Sequence, residues 1–403
     1  MSDLARIARA CALAAGVVVA SSGQARAGED DPEDPAIPPP TSEFQFALRS
    51  VTSINGNKAY DRQSAFGVLD FSDTTAMARA RTPLLRGMGR VGAMMLLTFP
   101  DAYYEPGTLF LGEAHAFYED KHFHAKIGRS RISSRIIPFP TLRDDDFIRW
   151  SDAQNPFSDG RSTADHQFGN TLAVAYYPTP RLFAELHAEN LPTFVLRPDT
   201  IAAYRLNSYG LSLGYKQVPA LVPLSIVRRV GIGVNTYRLD LPAQEVSFDV
   251  LAGAWLNVVA DPIHMVDLRV QGIYNRGVPR LPVVTLNDSF RTQQVSSMVS
   301  IGYNYRKQML PTFRTNVIAG YKRYLEPGID QVSVAYNAFY SLGINADIGL
   351  QYQMRTRARI PEAFGDDFSH SIKLALVVSL ETGTEPIFDV RESLLNTESG
   401  YLP

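Results

Sequence analysis

The sequence predicts an all-β chain, a transmembrane antiparallel up-and-down β-barrel of about sixteen strands with short turns at one end and long loops at the other. Three observations predict it. From Glu43 onward, segments of roughly ten to fifteen residues alternate apolar and polar side chains, the period of a strand with one greasy and one wet face. The connections between those segments alternate short and long. Tyrosines gather near segment ends, at Tyr176, Tyr209, Tyr274, Tyr303, Tyr305, Tyr340 and Tyr352, as interfacial girdles require.

The chain begins with Asp3, Arg6 and Arg9 ahead of an apolar run, Ala10 to Ala20, and then Ala25-Arg26-Ala27. A basic head, a short apolar run and an A-x-A site predict a secretory signal peptide over residues 1–27. The single cysteine, Cys11, lies inside it, so the processed chain carries neither disulfides nor thiolate metal sites. Processing removes three arginines and one aspartate, leaving a net charge of −4, with no basic footprint for nucleic acid. Residues 28–42 (GEDDPEDPAIPPPTS) are acidic and proline-rich and read as a disordered periplasmic lead-in. The barrel is expected over 43–382 and a periplasmic tail over 383–403.

Taken in order, the alternating segments are Glu43–Asn55, Gln63–Arg81 (one strand bent near Ser72-Asp73), Arg90–Phe99, Thr108–Tyr118 and Phe123–Ile136. Gln167–Tyr177, Arg181–Asn190, Arg205–Gln217 and Ser225–Arg238 follow. Glu245–Ala260 is the clearest, with Val246, Phe248, Val250, Ala252, Ala254, Leu256 and Val258 against Glu245, Ser247, Asp249 and Asn257. Met265–Arg276 sets Asp267, Arg269, Gln271 and Asn275 against Val266, Leu268, Val270 and Tyr274. Val295–Lys307, Phe313–Leu325, Val332–Ser341, Ile344–Arg355 and Phe368–Leu380 complete sixteen. Short links such as Pro178–Pro180 and Asp261–His264 face long ones such as Pro138–His166 and Gly277–Arg291. A soluble sandwich also alternates, but its strands are nearer five or six residues.

The most informative stretch is Leu109 to Asn170. Glu113 and His115 share one parity before a polar turn, and His124 and Lys126 take the same parity after it. The parity flips at Gly128, which predicts a β-bulge and puts Arg129, Arg131, Ser133 and Arg135 in the polar row. An aperiodic loop over 138–166 then carries Asp144, Asp145 and Asp146. A basic strand row and an acidic loop suit a pore wall and its constriction, with Glu113, His115 and Lys126 alongside. Further round, Arg229, Asp249, Asp267, Arg269, Arg306, Arg314, Lys322, Asp347, Arg355 and Lys373 all take the polar parity and are expected to face the lumen.

These same residues resemble the Gram-negative outer-membrane porins of the putative-porin type. The likeness lies in an E-A-x-x-x-Y strand (Glu113, Ala114, Tyr118), a G-R-x-R strand (Gly128, Arg129, Arg131) and an LRDDD…NPFS loop (Leu142–Asp146, Asn155–Ser158). It covers about sixty residues; the rest agrees in strand rhythm alone. The resemblance implies a barrel of sixteen or eighteen strands in the outer membrane, often trimeric, for passive uptake of small hydrophilic solutes or ions. The chain departs from the usual aromatic terminus, since some twenty residues follow Leu380.

Other chemistry is weakly signalled. Gly210-Leu211-Ser212-Leu213-Gly214 matches a hydrolase G-x-S-x-G, but the alternation runs straight through it where an elbow would bend. His122 and His124 straddle a turn with no third ligand at a useful spacing. Asp165-His166 has no serine at a supporting distance in the chain. No enzyme, metal or cofactor is therefore expected. The alternative is a barrel with a mainly non-transport role, such as a phospholipase-like enzyme or a surface adhesin.

Overall fold

In a computed structural model of the 403-residue chain, the described residues are the strands and their adjoining turns between 42 and 382, together with 137 and 206. The signal peptide, the lead-in, the C-terminal tail and Asp144–Asp146 lie outside them. Every regular element among the described residues is a strand: β1 (Glu43–Lys58), β2 (Ser64–Asp70), β3 (Thr75–Pro83), β4 (Arg90–Thr98), β5 (Phe110–Glu119) and β6 (Phe123–Arg131). Next come β7 (Phe168–Tyr176), β8 (Leu182–Glu189), β9 (Ser208–Lys216), β10 (Val227–Arg238), β11 (Val246–Ala260) and β12 (His264–Arg276). The last are β13 (Gln293–Lys307), β14 (Leu310–Tyr324), β15 (Ile329–Gly343), β16 (Ala346–Thr356) and β17 (Phe368–Thr382).

Each strand pairs antiparallel with the next, except that β2 and β3 both pair with β1, and β17 closes on β1 from Phe46↔Thr382 to Lys58↔His370. Closure leaves no edge, which a hydrocarbon environment would penalise by several kcal/mol per unpaired backbone group. β2 and β3 lie end to end along β1, opposite Ser53–Lys58 and Glu43–Arg49 respectively. They are two halves of one bent stave, so the seventeen segments make a 16-strand barrel. Gly67 supplies the kink in the first half: at φ +76° it is skipped in the pairing between Val68 and Phe66, a conformation that favours glycine.

The two faces obey the alternation. On β17, Ile372, Leu374 and Leu376 are exposed while Lys373, Ala375 and Val377 between them are buried. On β10, Val230, Ile232 and Val234 point out in the same way. An apolar surface continuous around a closed barrel is stable only against lipid. Aromatic residues edge the band at both ends. Phe123 and Tyr176 stack at 5.1 Å and His264 Nδ1 sits 2.9 Å from the Tyr303 hydroxyl at the end holding both strand termini. At the other end the Tyr352 hydroxyl lies 2.8 Å from His370 Nδ1, and Phe248 and Tyr274 are 6.0 Å apart.

The tight turns are held by carboxylates. Asp120 accepts backbone N–H bonds from His122 and Phe123 at 2.6 and 2.7 Å and a hydroxyl bond from Tyr118 at 2.6 Å. Asp261 accepts from the N–H groups of Ile263 and His264 at 2.7 and 3.2 Å. Both are Asx turns, in which the side chain replaces a backbone acceptor.

One local expectation fails. No residue is inserted at Gly128: its ladder is unbroken, with His115 opposite on β5 and Thr171 on β7. Gly128 instead takes φ +138° within the strand, and a Cβ there would lie 2.5 Å from the Ala114 carbonyl oxygen. The skipped residue is on β5, where Gly112 falls between the pairs Leu96↔Glu113 and Leu97↔Leu111. The polar row after Gly128 therefore does not shift by the mechanism expected.

Candidate pore lumen

Two stretches of inner wall carry most of the described polar chemistry. The first runs over β1, β3, β4 and β5, where Gln45, Arg49, Arg79, Arg81, Glu113 and His115 are all buried on the inward parity. Arg81 is the hub. Its Nε donates to Glu43 Oε2 at 2.6 Å and its Nη1 to Glu119 Oε1 at 3.1 Å, while Arg90 reaches Glu43 at 3.7 Å. Arg79 bonds Gln45, with Nε 2.9 Å from Oε1. His115 Nδ1 stands 3.5 Å from Glu113 Oε2. Arg79, Arg81 and Arg90 each face a carboxylate or amide oxygen, the condition for keeping charge out of bulk water.

The first stretch also holds a small buried apolar cluster, Ala47, Met77 and Leu96, all from its own strands; the cluster of the second stretch, β10 to β15, includes a residue from outside the wall. Leu251, Ile273, Met298, Ile318 and Ala335 stand on the inward parity of five consecutive strands and form one buried cluster. The sixth member is Ile137, from the connection after β6, with Trp255 packed against the group. The Ile137 N–H donates to Gln271 Oε1 at 2.7 Å. A Cβ on Gly253 would come within 2.5 Å of Ile137 Cγ1, so only glycine leaves room for this side chain. The seat spans β11 to β15 and is centred on β13, close to half the circuit from β6. Ile137, six residues beyond β6, therefore sits on the far inner wall. A sixteen-strand barrel is too wide to be filled by its own wall side chains, and Ile137 packs with the fully buried Met298, Ile318 and Ala335.

Beside the seat, towards the end with the tight turns, lies a charged arc. Arg269 Nε bonds Asp267 Oδ2 at 2.6 Å, and its guanidinium carbon is 4.1 Å from the centroid of the Trp255 ring. Arg228 approaches the same ring at 5.1 Å. Arg314 Nη2 bonds Asp347 Oδ2 at 2.8 Å, and the Ser341 hydroxyl donates to Asp347 Oδ1 at 2.6 Å.

A closed antiparallel barrel, an apolar outer band, two aromatic edges and a chain segment inside the lumen define the comparison to make. The outer-membrane channel DcaP of Acinetobacter baumannii superposes with a TM-score of 0.61 at 14% identity, over 84% of this chain and 98% of that one. The chain has the outer-membrane porin fold. The anion-selective porin of Comamonas acidovorans matches at TM-score 0.55 and 11% identity, covering 84% and 100% of the two chains. OmpF of Salmonella typhi, in a complex with daunomycin, gives 0.56 and 10%, over 84% and 97%. No family model matches the sequence, and no curated relative does. As a porin-fold barrel with this outer face, the protein resides in the outer membrane.

Within the porin barrel the residues singled out from sequence separate into groups. Glu113 and His115 are buried on the inner wall, and Lys126 is half-buried in the row of Phe117 and Ala173. Arg129 pairs opposite Ala114 and Asn170 and sends Nε to the Leu111 carbonyl at 3.1 Å, next to the skipped Gly112. Ser130, not Arg129, is the fully buried residue there. Arg131 closes β6, and Arg135 and Asp144–Asp146 lie outside the described residues. Around the other wall, Arg229, Asp267, Arg269, Arg306, Arg314, Asp347 and Lys373 occupy inward positions. Asp249, Lys322 and Arg355 share the register rows of Asn235, Ser296 and Ser333. Ser212 is buried within β9, with no elbow at G-x-S-x-G.

Sequence reasoning missed three features. Arg79 and Arg81 were legible as the basic parity of M-A-R-A-R but fell in the interrupted stave. The seat was legible too, as an apolar residue on the polar parity of five successive strands. Arg228 had no signal, because a register shift between Val227 and Arg229 is what brings it inward.

Proposed function

We propose that this barrel is a passive diffusion channel for small hydrophilic solutes or ions, not an enzyme, narrowed by the segment between β6 and β7. The observation that supports it is Ile137, seated on the far inner wall with its N–H bonded to Gln271. Asp144–Asp146 follow seven residues later, a span of at most roughly 25 Å. They form the acidic side of a transverse field whose basic side is Arg228, Arg269 and Arg306. Arg129, Arg131 and Arg135 flank the departure of the segment. A solute passing within a Debye length of roughly 8 Å of both sides is oriented and filtered by charge. Export through the signal peptide at 1–27 and assembly as a trimer complete the reading; OmpT of Vibrio cholerae, of the same fold, has a trimer form.

Reversal potentials across a salt gradient in planar bilayers test it. Replacing Asp144–Asp146 with asparagine shifts selectivity towards anions, and replacing Arg228 and Arg269 with glutamine shifts it towards cations. Both shifts shrink as salt rises. Deleting about ten residues around Asp144 raises conductance by widening the narrowest point. Unchanged reversal potentials in both sets of variants would refute the constriction, and absence of any conductance would refute the channel.

A further inference from the structure

We propose that Arg228, Arg306 and the Trp255 indole N–H form an oxyanion-binding site on the lumen wall between the Ile137 seat and the tight-turn end. The site takes one small carboxylate or phosphate group. The channel reading supplies only the access route; the binding chemistry stands on the wall itself.

The first argument is charge balance. Arg228 and Arg269 both approach Trp255, and Arg269 and Arg306 lie within repulsive range of Arg228. Asp267 is the carboxylate that answers them among the described residues, and its Oδ2 is engaged by Arg269 Nε at 2.6 Å. Arg228 and Arg306 have no carboxylate partner among the described residues. Cations crowded together inside a wall carry an electrostatic penalty that a bound anion removes.

The second argument is unspent hydrogen-bonding capacity. Trp255 Nε1 and Arg306 Nε are buried with no acceptor among the described residues. A buried donor without an acceptor costs about 1–3 kcal/mol, so such groups in a native wall call for a ligand. Guanidinium forks match the two oxygens of a carboxylate or phosphate, and an indole N–H can only donate.

The third argument is how the residues are placed. The β10–β11 register shifts between Val227 and Arg229, and the β13–β14 register shifts between Tyr305 and Arg306. Arg228 is the extra residue of β10, opposite Trp255 and Leu256, and Arg306 keeps the inward parity of β13 facing the irregularity at Thr312 of β14, with the Trp255 strand between them in the sheet. Bulges re-aim side chains, and they recur beside functional sites.

The chain has two tryptophans, Trp150 and Trp255, so Trp150→Phe leaves Trp255 as the sole indole reporter. In that full-length, detergent-folded protein, sodium acetate and sodium phosphate are titrated separately at constant ionic strength made up with sodium chloride. The expected result is a saturable change in Trp255 fluorescence with at least one of the two, which identifies the oxyanion held. Arg228→Gln and Arg306→Gln each raise the half-saturating concentration about tenfold. Retained heat-modifiable mobility on gels verifies that the variants fold. A linear, non-saturating response of the parent to both anions overturns the proposal, as does unchanged affinity in both arginine variants. Saturation that appears only after Asp144–Asp146 become asparagine overturns it as well, since the site is then filled by the chain itself. Loss of conductance with binding intact would refute the channel and leave the site standing.

Discussion

The two inner walls obey the same alternation and share the same lipid-facing exterior, yet they solve the problem of an inward face differently. Over β1, β3, β4 and β5, charged side chains satisfy one another: Arg81 with Glu43 and Glu119, Arg79 with Gln45. Over β11 to β15, an apolar island sits among polar neighbours and is covered by Ile137. Among the described residues, the first wall's buried apolar cluster, Ala47, Met77 and Leu96, comes from its own strands. The second would expose Leu251, Ile273, Met298 and Ile318 to water unless a segment crossed to it. The difference between the walls is thus the origin of the covering side chain: the strands themselves on the first, the connection after β6 on the second.

The strongest way to break this comparison is to attack the exterior that both walls share. Val317 lies at the middle of β14, exposed, next to buried Ile318. Val317→Arg costs about 2–4 kcal/mol at the bilayer midplane, read as a lowered urea midpoint in lipid vesicles. An effect below about 0.5 kcal/mol would mean that this face does not meet lipid.

The seat comes next. Ile137→Ala deletes most of a buried side chain, with a cost of up to about 2 kcal/mol borne by the docked segment and not by the sheet. Single-channel conductance then rises and open-channel noise increases, while the urea midpoint moves little. Gly253→Ala gives the same phenotype from the wall side, because its Cβ takes the space of Ile137 Cγ1. Silence in both variants would show that the segment is held elsewhere.

On the paired wall, Glu43→Gln removes one of the two carboxylates of Arg81, whose side chain is 2% exposed, and leaves Glu119. The expected loss is about 1–2 kcal/mol in the urea midpoint with conductance unaffected. The loss persists in high salt, because a buried pair is screened little.

The smallest effect is at the turns, outside both walls. The Tyr118 hydroxyl, followed by the His122 N–H, holds the Asp120 carboxyl below its usual range, and the Ile263 and His264 N–H groups do the same for Asp261. A carboxylate with a depressed folded-state value contributes stability above its unfolded pKa, about 3.9, and loses it as pH falls through the folded value. Asp120→Asn and Asp261→Asn therefore lower the unfolding midpoint slightly at neutral pH and flatten its acid limb, so that variant and parent converge below about pH 4. An unaltered acid limb would mean that these turns are already open when the barrel unfolds.

The barrel was legible because its causes are local. Whether Phe248 or Asp249 meets lipid depends on a period of two, and the alternation of short and long links follows from an even circuit of hairpins. The interruption between β2 and β3 was legible for the same reason, as a gap in one periodic run that β1 spans. What the sequence by itself determined is this much: the membrane-facing and lumen-facing sets, the closure of an even number of strands, and the place of the long connection after β6. Tertiary structure decided the rest. Gly128 absorbs its strain inside an unbroken ladder because both neighbouring strands hold it there, so Arg129 pairs with Ala114 where the flip would have moved it. Arg228 turns inward because it is the extra residue of β10 at the bulge opposite Trp255 and Leu256. Ile137 finds its seat because five apolar residues, 114 to 198 positions further along the chain, come together only when the strands pair in register. Periodicity reports which face a side chain takes; which side chains meet across a lumen depends on register and closure, and those are properties of the whole circuit.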